Sequence, residues 1–226
     1  SGEVMRVHGS FVLTVGSKGD VALRAWSSEG QAVSLASRGI VVNDGRPHDI
    51  DIRLDGGTLS LWVDGTRSAE TAFAGTFANS HNSPLYFGNP WGQSNVVADL
   101  TDFGIMVNTH KVAPAAPAEL RAAMPVEAGT DLVRLDDSGA FAVFAAGEEK
   151  LLARAPAASA EGLQLGGSGT AATIGRSHLA PFFASDDVTI SLTLDADKVG
   201  TSGEVMRVHG SFVLTVGSKG DVALRA

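Results

Sequence analysis

Hydrophobic and polar residues alternate most regularly between residues 48 and 63. In the first half of this stretch every second residue is Ile or Leu, and Asp and Arg fill the positions between them. After Gly56-Gly57 the alternation resumes in LSLWV at 59–63. Alternation with a period of two is typical of a half-buried strand, and a two-glycine turn favours a tight hairpin. The pattern predicts an antiparallel hairpin with Trp62 on the side opposite to its Leu and Val neighbours.

A second pattern is an exact duplication. Residues 1–25 read SGEVMRVHGSFVLTVGSKGDVALRA, and residues 202–226 repeat them letter for letter. Ordinary drift would not keep two natural copies identical, so the chain is either part of a tandem array with a 201-residue period (residue 202 repeats residue 1) or a chain deliberately closed on itself. Each copy alternates as three short strands. So small a unit has no core of its own, so each copy needs a sheet to pack against.

The rest of the chain shows the same short-strand character, interrupted by one linker. Strands are predicted at 31–37 and 40–42, on either side of Arg38-Gly39, at 85–88, 99–107, within 130–154, within 163–175, and at 188–197. Residues 176–187 are predicted to form a loop between two of these strands. Residues 113–129 are rich in Ala and Pro and have lost the alternation, which indicates a semi-rigid linker.

Composition narrows the class of protein without naming a ligand. The chain has 226 residues, a net charge of -8, 27 Gly and no Cys. One 201-residue period is large enough to bury a core, and the many short strands favour a single all-β domain. The acidic balance argues against a nucleic-acid partner, and no apolar run is long enough for membrane insertion. The absence of Cys excludes disulfides and thiol catalysis.

The hairpin PHDIDIRLDGGTLSLWVDG resembles the signature of laminin G-like and related concanavalin A-like lectin domains. His48 opens its first strand, and the glycine turn leads into Leu59–Gly65, similar to the L-x-L-x-V-D-G strand of that family. LYFG at 85–88 and LTDFGI at 100–105 are similar to two further strands of the family. The resemblance implies an all-β antiparallel jelly-roll sandwich, a fold that hosts lectins, adhesion modules, stalk domains and glycoside hydrolases.

The resemblance also implies that the strand order of the family is circularly shifted in this chain. Residues 1–112 would then be the C-terminal part of the jelly-roll, 113–129 the linker, and 130–226 the N-terminal part, with 202–226 repeating 1–25. Only one copy of the duplicated segment fits between the 188–197 strand and the strands after Trp26. The other copy is predicted to pair with a neighbouring copy of the chain by strand exchange, which could run head to tail.

Two loops have a composition suited to binding a glycan. Sugars need an aromatic ring for their C–H faces and amide or acid groups for their hydroxyls. The loops at 79–83 and 88–95 supply such residues: Trp91, Asn89, Gln93, Asn95, His81 and Asn82. The competing interpretation is that these residues only form turns, with Trp91 covering the base of a loop.

The hairpin offers two further candidates. Trp62 could line a concave sheet that holds saccharide, or it could pack beneath a loop. Asp49, Asp51 and Arg53 are similar to the E-x-D-x-E strand of jelly-roll glucanases, but Arg53 stands where the second catalytic acid is needed. The favoured interpretation is a solvated strand face with pairing between Asp and Arg.

Other chemistry has little support in the sequence. The resemblance implies a possible calcium site at a loop rim, for which Asp186 and Asp187 are the candidate ligands. The six His residues are scattered, and no nucleophile elbow or phosphate-binding glycine loop is present. No catalytic residues are predicted.

These observations favour a non-catalytic carbohydrate-binding or adhesion module of a secreted or surface repeat protein. Its expected partner is a glycan or cell-surface polysaccharide, and its expected location is extracellular or at the cell surface. The first alternative is a structural repeat whose duplicated strands mediate strand exchange in a fibre or filament. The second is a divergent glycoside hydrolase.

Overall fold

The structure of the protein is a computed structural model that describes residues 2–91, 96–107 and 172–196, and outside these ranges only residues that belong to strands. The strands, numbered in chain order, are β1 (Gly2–Val7), β2 (Phe11–Val15), β3 (Val21–Trp26), β4 (Ala32–Ala36), β5 (His48–Asp55), β6 (Thr58–Val63), β7 (Thr66–Ala72), β8 (Leu85–Phe87), β9 (Ala98–Val107), β10 (Thr130–Leu135), β11 (Phe141–Ala145), β12 (Glu148–Leu151), β13 (Ala158–Ser159), β14 (Gly162–Leu165), β15 (Ala172–Ile174), β16 (Asp187–Ala196), β17 (Gly203–Val208), β18 (Phe212–Val216) and β19 (Val222–Arg225). The described pairings are all antiparallel.

Two sheets form an all-β sandwich, as predicted. The six-stranded sheet has the order β15-β8-β1-β2-β3-β4, so the first copy of the duplicated segment lies at its centre. The ten-stranded sheet runs β12-β11-β10-β9-β16-β5-β6-β7, and β14 pairs with β9 beside this path, with β13 at its edge. Strands from the early and late parts of the chain are therefore neighbours in both sheets.

The predicted hairpin at 48–63 and the predicted strand at 188–197 lie side by side in the large sheet. β16 pairs with β5 from Asp187↔Asp55 to Leu194↔His48, and on its other edge it pairs with β9. The inward residues of these strands are the apolar ones that the alternation identifies, because a period of two puts every second side chain on one face. Those residues are buried: Ile50, Ile52, Leu54, Leu59, Leu61, Val63, Val188, Ile190, Leu192 and Leu194.

Aromatic side chains from three separate segments fill one part of the core between the sheets. Phe182 stacks on Phe77 with 4.9 Å between ring centroids, and Phe11 lies 6.0 Å from Phe182. Offset and tilted arrangements at these distances add to the stabilisation from burial alone. Phe182 belongs to a short helix, α1 (Ala180–Ala184), which follows a 3₁₀ turn at Arg176–Leu179. These contacts anchor the segment between β15 and β16 in the core.

The second copy of the duplicated segment forms a sheet of its own. β17, β18 and β19 are hydrogen-bonded in that order, and within the described residues they pair with no strand of the sandwich. Their register repeats that of β1 and β2, from Gly203↔Val216 to Val208↔Phe212, including the irregularity after Glu204. The three-strand prediction for each copy is confirmed.

Two local predictions are wrong, and one strand was not predicted. Residues 40–42 are not a strand, because Val42 instead donates its N–H to the carbonyl of Gly19 at 2.9 Å and buries its side chain. Residues 176–187 are not only loop, since they contain the 3₁₀ turn and α1 and begin β16. The sequence interpretation also missed β7, whose largely polar residues pair with β6 at the edge of the sheet. The linker at 113–129 lies outside the described residues.

Candidate functional site

Pairing between β1 and β8 brings the two polar loops to the duplicated segment. β1 is antiparallel to β8, with Arg6 opposite Tyr86. The end of β1 therefore lies beside the loop that precedes β8, and the start of β1 lies beside the loop that follows it. The N–H of Gly88 donates to the carbonyl of Val4 at 2.8 Å, which ties the second loop to β1. Trp91 of this loop stands over Arg6, whose Cζ lies 4.6 Å from the ring centroid.

Arg6 and Glu3 form a buried ion pair beneath Trp91. The Nη2 of Arg6 donates to the Oε2 of Glu3 at 2.6 Å, and its Nε donates to Oε1. Arg6 is 8% and Glu3 is 5% exposed, so both charges are largely removed from water. A bidentate pair with a fixed fork geometry holds the guanidinium in one plane. The pair is a rigid base against which Trp91 rests.

Trp91 is an exposed aromatic side chain with polar neighbours. It is 49% exposed, and the ring of His8 meets it edge-on at 5.2 Å. His8 in turn lies 4.4 Å from the exposed ring of His81, which comes from the other predicted loop. We call Trp91, His8 and His81 the ring cluster. The structure thus brings together residues of both loops with one residue, His8, that the glycan prediction did not include.

The close approach of the turn after β1 to the 79–83 loop depends on Gly9. Its backbone has φ +74°, a left-handed conformation that favours glycine, and a Cβ there would overlap His81 and Ser80. The Oγ of Ser80 donates to the carbonyl of Gly9 at 3.2 Å. The turn after β1 therefore fits against the 79–83 loop because it carries no side chain.

Asn89 and Asn82 contribute to loop geometry. Asn89 is 5% exposed, and its Oδ1 accepts the N–H of Trp91 at 2.9 Å, as in an Asx turn. Asn82 is exposed and adopts φ +50°, a conformation that asparagine tolerates better than most residues. The turn-forming interpretation therefore accounts for Asn89, whereas it does not account for the exposure of Trp91. Gln93 and Asn95 lie outside the described residues.

Trp62 lies apart from the ring cluster, on the outer face of the ten-stranded sheet. Its Nε1 donates to the Oγ of Ser60 at 2.9 Å. The guanidinium of Arg53 lies 4.4 Å from its ring centroid and that of Arg67 lies 5.9 Å away. The two guanidinium groups lie close to the indole ring, and Trp62 is only partly exposed. The two tryptophan candidates therefore belong to different surfaces.

The acidic strand beside Trp62 is internally paired. Arg53 Nη2 donates to Asp51 Oδ2 at 2.5 Å, and Thr193 Oγ1 donates to Asp49 Oδ1 at 2.8 Å. These contacts agree with the predicted Asp–Arg pairing on a strand face. The position at which a glucanase strand carries its second acid holds the cation Arg53, so this strand differs from the glucanase pattern at that position.

His48 joins two turns at one end of the hairpin, an arrangement that the sequence interpretation missed. Its Nδ1 lies 2.9 Å from Asp64 Oδ2 and its Nε2 lies 3.1 Å from Asp44 Oδ1. Burial alone lowers the pKa of His48, but the hydrogen bonds and charges of Asp64 and Asp44 outweigh burial and raise the pKa above its usual value. The hydrogen bond from His48 is the main cause that lowers the pKa of Asp44. We call these three residues the histidine clasp.

The two aspartates predicted as calcium ligands differ in their surroundings. Asp186 Oδ1 is buried without a hydrogen-bond partner among the described residues, and the carbonyl of Asp186 accepts the N–H of Gly56 at 3.1 Å. The backbone of Asp187 is held by Ser185 Oγ through bonds of 2.9 and 3.0 Å. In the part of the chain that the structure describes, no group of three or more His, Asp and Glu side chains is placed to hold a metal ion. The calcium site stays a prediction.

Comparison with known proteins supports the fold. The family model of the laminin G domain matches residues 4–103. No curated protein and no solved structure matches the chain. Domains of this family are generally non-catalytic modules of adhesion or carbohydrate binding and are typically extracellular. Among the described residues, no helix is long and apolar enough to cross a membrane. The family match over residues 4–103 and the antiparallel sandwich together show that the chain has a laminin G-like jelly-roll fold.

Proposed function

We propose that this protein is a non-catalytic, extracellular module that binds a saccharide at the ring cluster. The observation that carries the proposal is the exposure of Trp91, which is held in place by buried groups instead of packing into the core. A fixed, half-exposed indole offers its surface to the C–H face of a sugar ring without an ordering cost on binding. A glycan or cell-surface polysaccharide is therefore the expected partner.

The neighbours of Trp91 supply the polar half of such a site. His8 and His81 carry ring nitrogens that can donate to or accept from sugar hydroxyls, and both lie at the cluster. Arg6 already has its carboxylate partner in Glu3, so it supports the indole as a stacked cation. The cation Arg53 stands on β5 where a glucanase strand carries its second catalytic acid, which favours binding without hydrolysis.

A glycan array followed by calorimetry tests the proposal. Trp91→Ala is expected to weaken binding of any saccharide that the array identifies by at least about tenfold, roughly the stacking energy of one aromatic ring. Met106→Ala is the matched control, because Met106 is also an exposed apolar side chain but lies on β9. Binding that Trp62→Ala abolishes and Trp91→Ala leaves intact would move the site to the outer sheet face. Failure of the array to identify any saccharide would remove the proposed function.

A further inference from the structure

The duplicated segment gives each chain two identical candidates for one place in the six-stranded sheet. Residues 1–25 occupy that place, between β8 and β4, while residues 203–225 form a separate three-stranded sheet. We propose that residues 202–226 compete with residues 1–25 for this place within the same molecule. The chain would then have two folded arrangements that differ in which copy completes the sandwich.

Matching registers support the exchange. The second copy already forms the same meander as the first, with the same pairing partners and the same irregularity after its glutamate. It would therefore enter the sheet as a preformed unit. No strand has to shift by one residue, a shift that would turn its apolar face to the wrong side.

The neighbouring strands would meet the same side chains from either copy. β8 pairs with Met5, Arg6 and Val7, whose counterparts in the second copy are Met206, Arg207 and Val208. β4 pairs with the last strand of the meander on the opposite edge. Because residues 1–25 and 202–226 are identical in sequence, either copy can form the same contacts inside the sheet, whereas the Trp26↔Ala32 pair at the end of β3 lies outside the duplicated segment. Within the duplicated residues the sheet does not distinguish the copies.

The second copy also begins close to the position that β1 occupies in the six-stranded sheet. Ala196 at the end of β16 pairs with Ala98, and Val96, two residues earlier, donates its N–H to the carbonyl of Glu3 at 3.3 Å. Together, these contacts mean that Ala196 lies at most about 20 Å from the start of β1. Gly203 follows Ala196 by seven residues, and seven extended residues span up to roughly 25 Å. The connection is long enough for exchange within one molecule.

Mass action favours the same molecule over a neighbouring one. When the first copy is in the sheet, the short connection between β3 and β4 is held as a closed loop. When the second copy takes its place, the short connection between β16 and the second copy becomes the closed loop instead, so the entropic costs of loop closure are similar. A short tether holds the local copy at an effective concentration in the millimolar range. A neighbour present at micromolar concentration is therefore outcompeted about a thousandfold. Head-to-tail exchange between chains would need a much more concentrated solution.

The exchange would leave the ring cluster chemically unchanged. Glu3, Arg6 and His8 come from the duplicated segment, and Glu204, Arg207 and His209 are their counterparts. Either copy can therefore supply the ion pair and the imidazole around Trp91. Competition between the copies does not depend on whether the ring cluster binds a saccharide.

A pair of matched substitutions in the full chain tests the competition. Leu13 is fully buried in the six-stranded sheet, and Leu214 is its counterpart in the second copy. If the copies compete, Leu13→Asp and Leu214→Asp should each change the unfolding equilibrium constant by less than about tenfold, because the intact copy takes the place. The double variant should lose its cooperative unfolding transition. If Leu13→Asp alone destabilises by about a thousandfold or more, as a buried unpaired charge would without rescue, the proposal fails.

Disulfide trapping identifies which molecule supplies the second copy. The chain has no Cys, and exposed Ser34 of β4 lies opposite Arg24 of β3, whose counterpart is Arg225. Ser34→Cys combined with Arg225→Cys should form a disulfide within one chain, as should the control Ser34→Cys combined with Arg24→Cys. A disulfide that links two chains would show exchange with a neighbour instead. A control that cross-links while the Arg225 variant does not would show that the second copy never enters the sheet. Either result overturns the proposal.

Discussion

Phe182→Ala tests whether the segment before β16, for which the sequence pattern predicts a loop, is part of the core, as the structure shows. Phe182 is 1% exposed and contacts Phe77, Phe11 and Phe183 with ring centroids 4.9 to 6.0 Å away. Truncating a fully buried phenylalanine costs about 3–5 kcal/mol, from lost transfer free energy and from the cavity left behind. For a chain of this length, that loss lowers the midpoint of thermal unfolding by roughly 6–20 °C.

Urea unfolding followed by tryptophan fluorescence measures this loss directly, since the free energy of unfolding falls linearly with denaturant. Met106→Ala provides the control, because Met106 is 41% exposed on the outer face of β9 and its truncation should change stability by less than about 0.5 kcal/mol. If Phe182→Ala costs less than about 1 kcal/mol, or no more than the control, then α1 is not anchored in the core and the reasoning from burial is refuted.

Two further substitutions, both of residues outside the duplicated segment, test polar contacts. His48→Gln removes the histidine clasp: because the folded pKa of His48 is raised, its contribution to stability is fully present below the unfolded value of 6.5 and is lost as pH rises through the folded pKa. Asp44 contributes in the opposite sense, since its lowered pKa gives stability above 3.8 that is lost as pH falls through the folded pKa. The deficit of His48→Gln in unfolding temperature should therefore be largest at about pH 5–6 and shrink as pH rises through the folded pKa, and a deficit independent of pH would contradict this origin. Ser37→Ala should cost about 1–3 kcal/mol, because the buried Oγ of Ser37 accepts the N–H of Val21 at 2.8 Å, and exposed Ser177→Ala is its control; equal effects in urea unfolding would argue against the buried hydrogen bond.

The helix α1 lies in residues 176–187, for which the sequence pattern predicts only a loop. APFFA is too short to show a period, and a proline in a segment flanked by the polar residues RSH and SDD is typical of a loop. Its two phenylalanines indicate burial, but only the approach of Phe77 from a distant loop creates the place in which Phe182 packs. A contact between residues so far apart in sequence leaves no local signal.

The sequence identifies only some of the residues of the candidate site. The amide and indole residues of the two loops identified Trp91 and His81 by their chemistry. His8 was absent from that set because nothing in its own sequence indicates that it lies beside His81 and Trp91; the antiparallel pairing of β1 with β8 decides this. The histidine clasp was missed for the same reason, since Asp64 reaches His48 only after the hairpin has closed.

The sequence by itself determined the all-β class, the hairpin at 48–63, the inward faces of its strands and the three-strand form of each duplicated copy. These features depend on alternation and turn residues, which act over a few neighbouring positions. Only the tertiary structure decided that β16 lies between β5 and β9, that Trp62 and Trp91 belong to different surfaces, and that the first copy completes the sandwich. Two identical segments have identical local preferences, so the choice between them depends on connections and partners elsewhere in the chain.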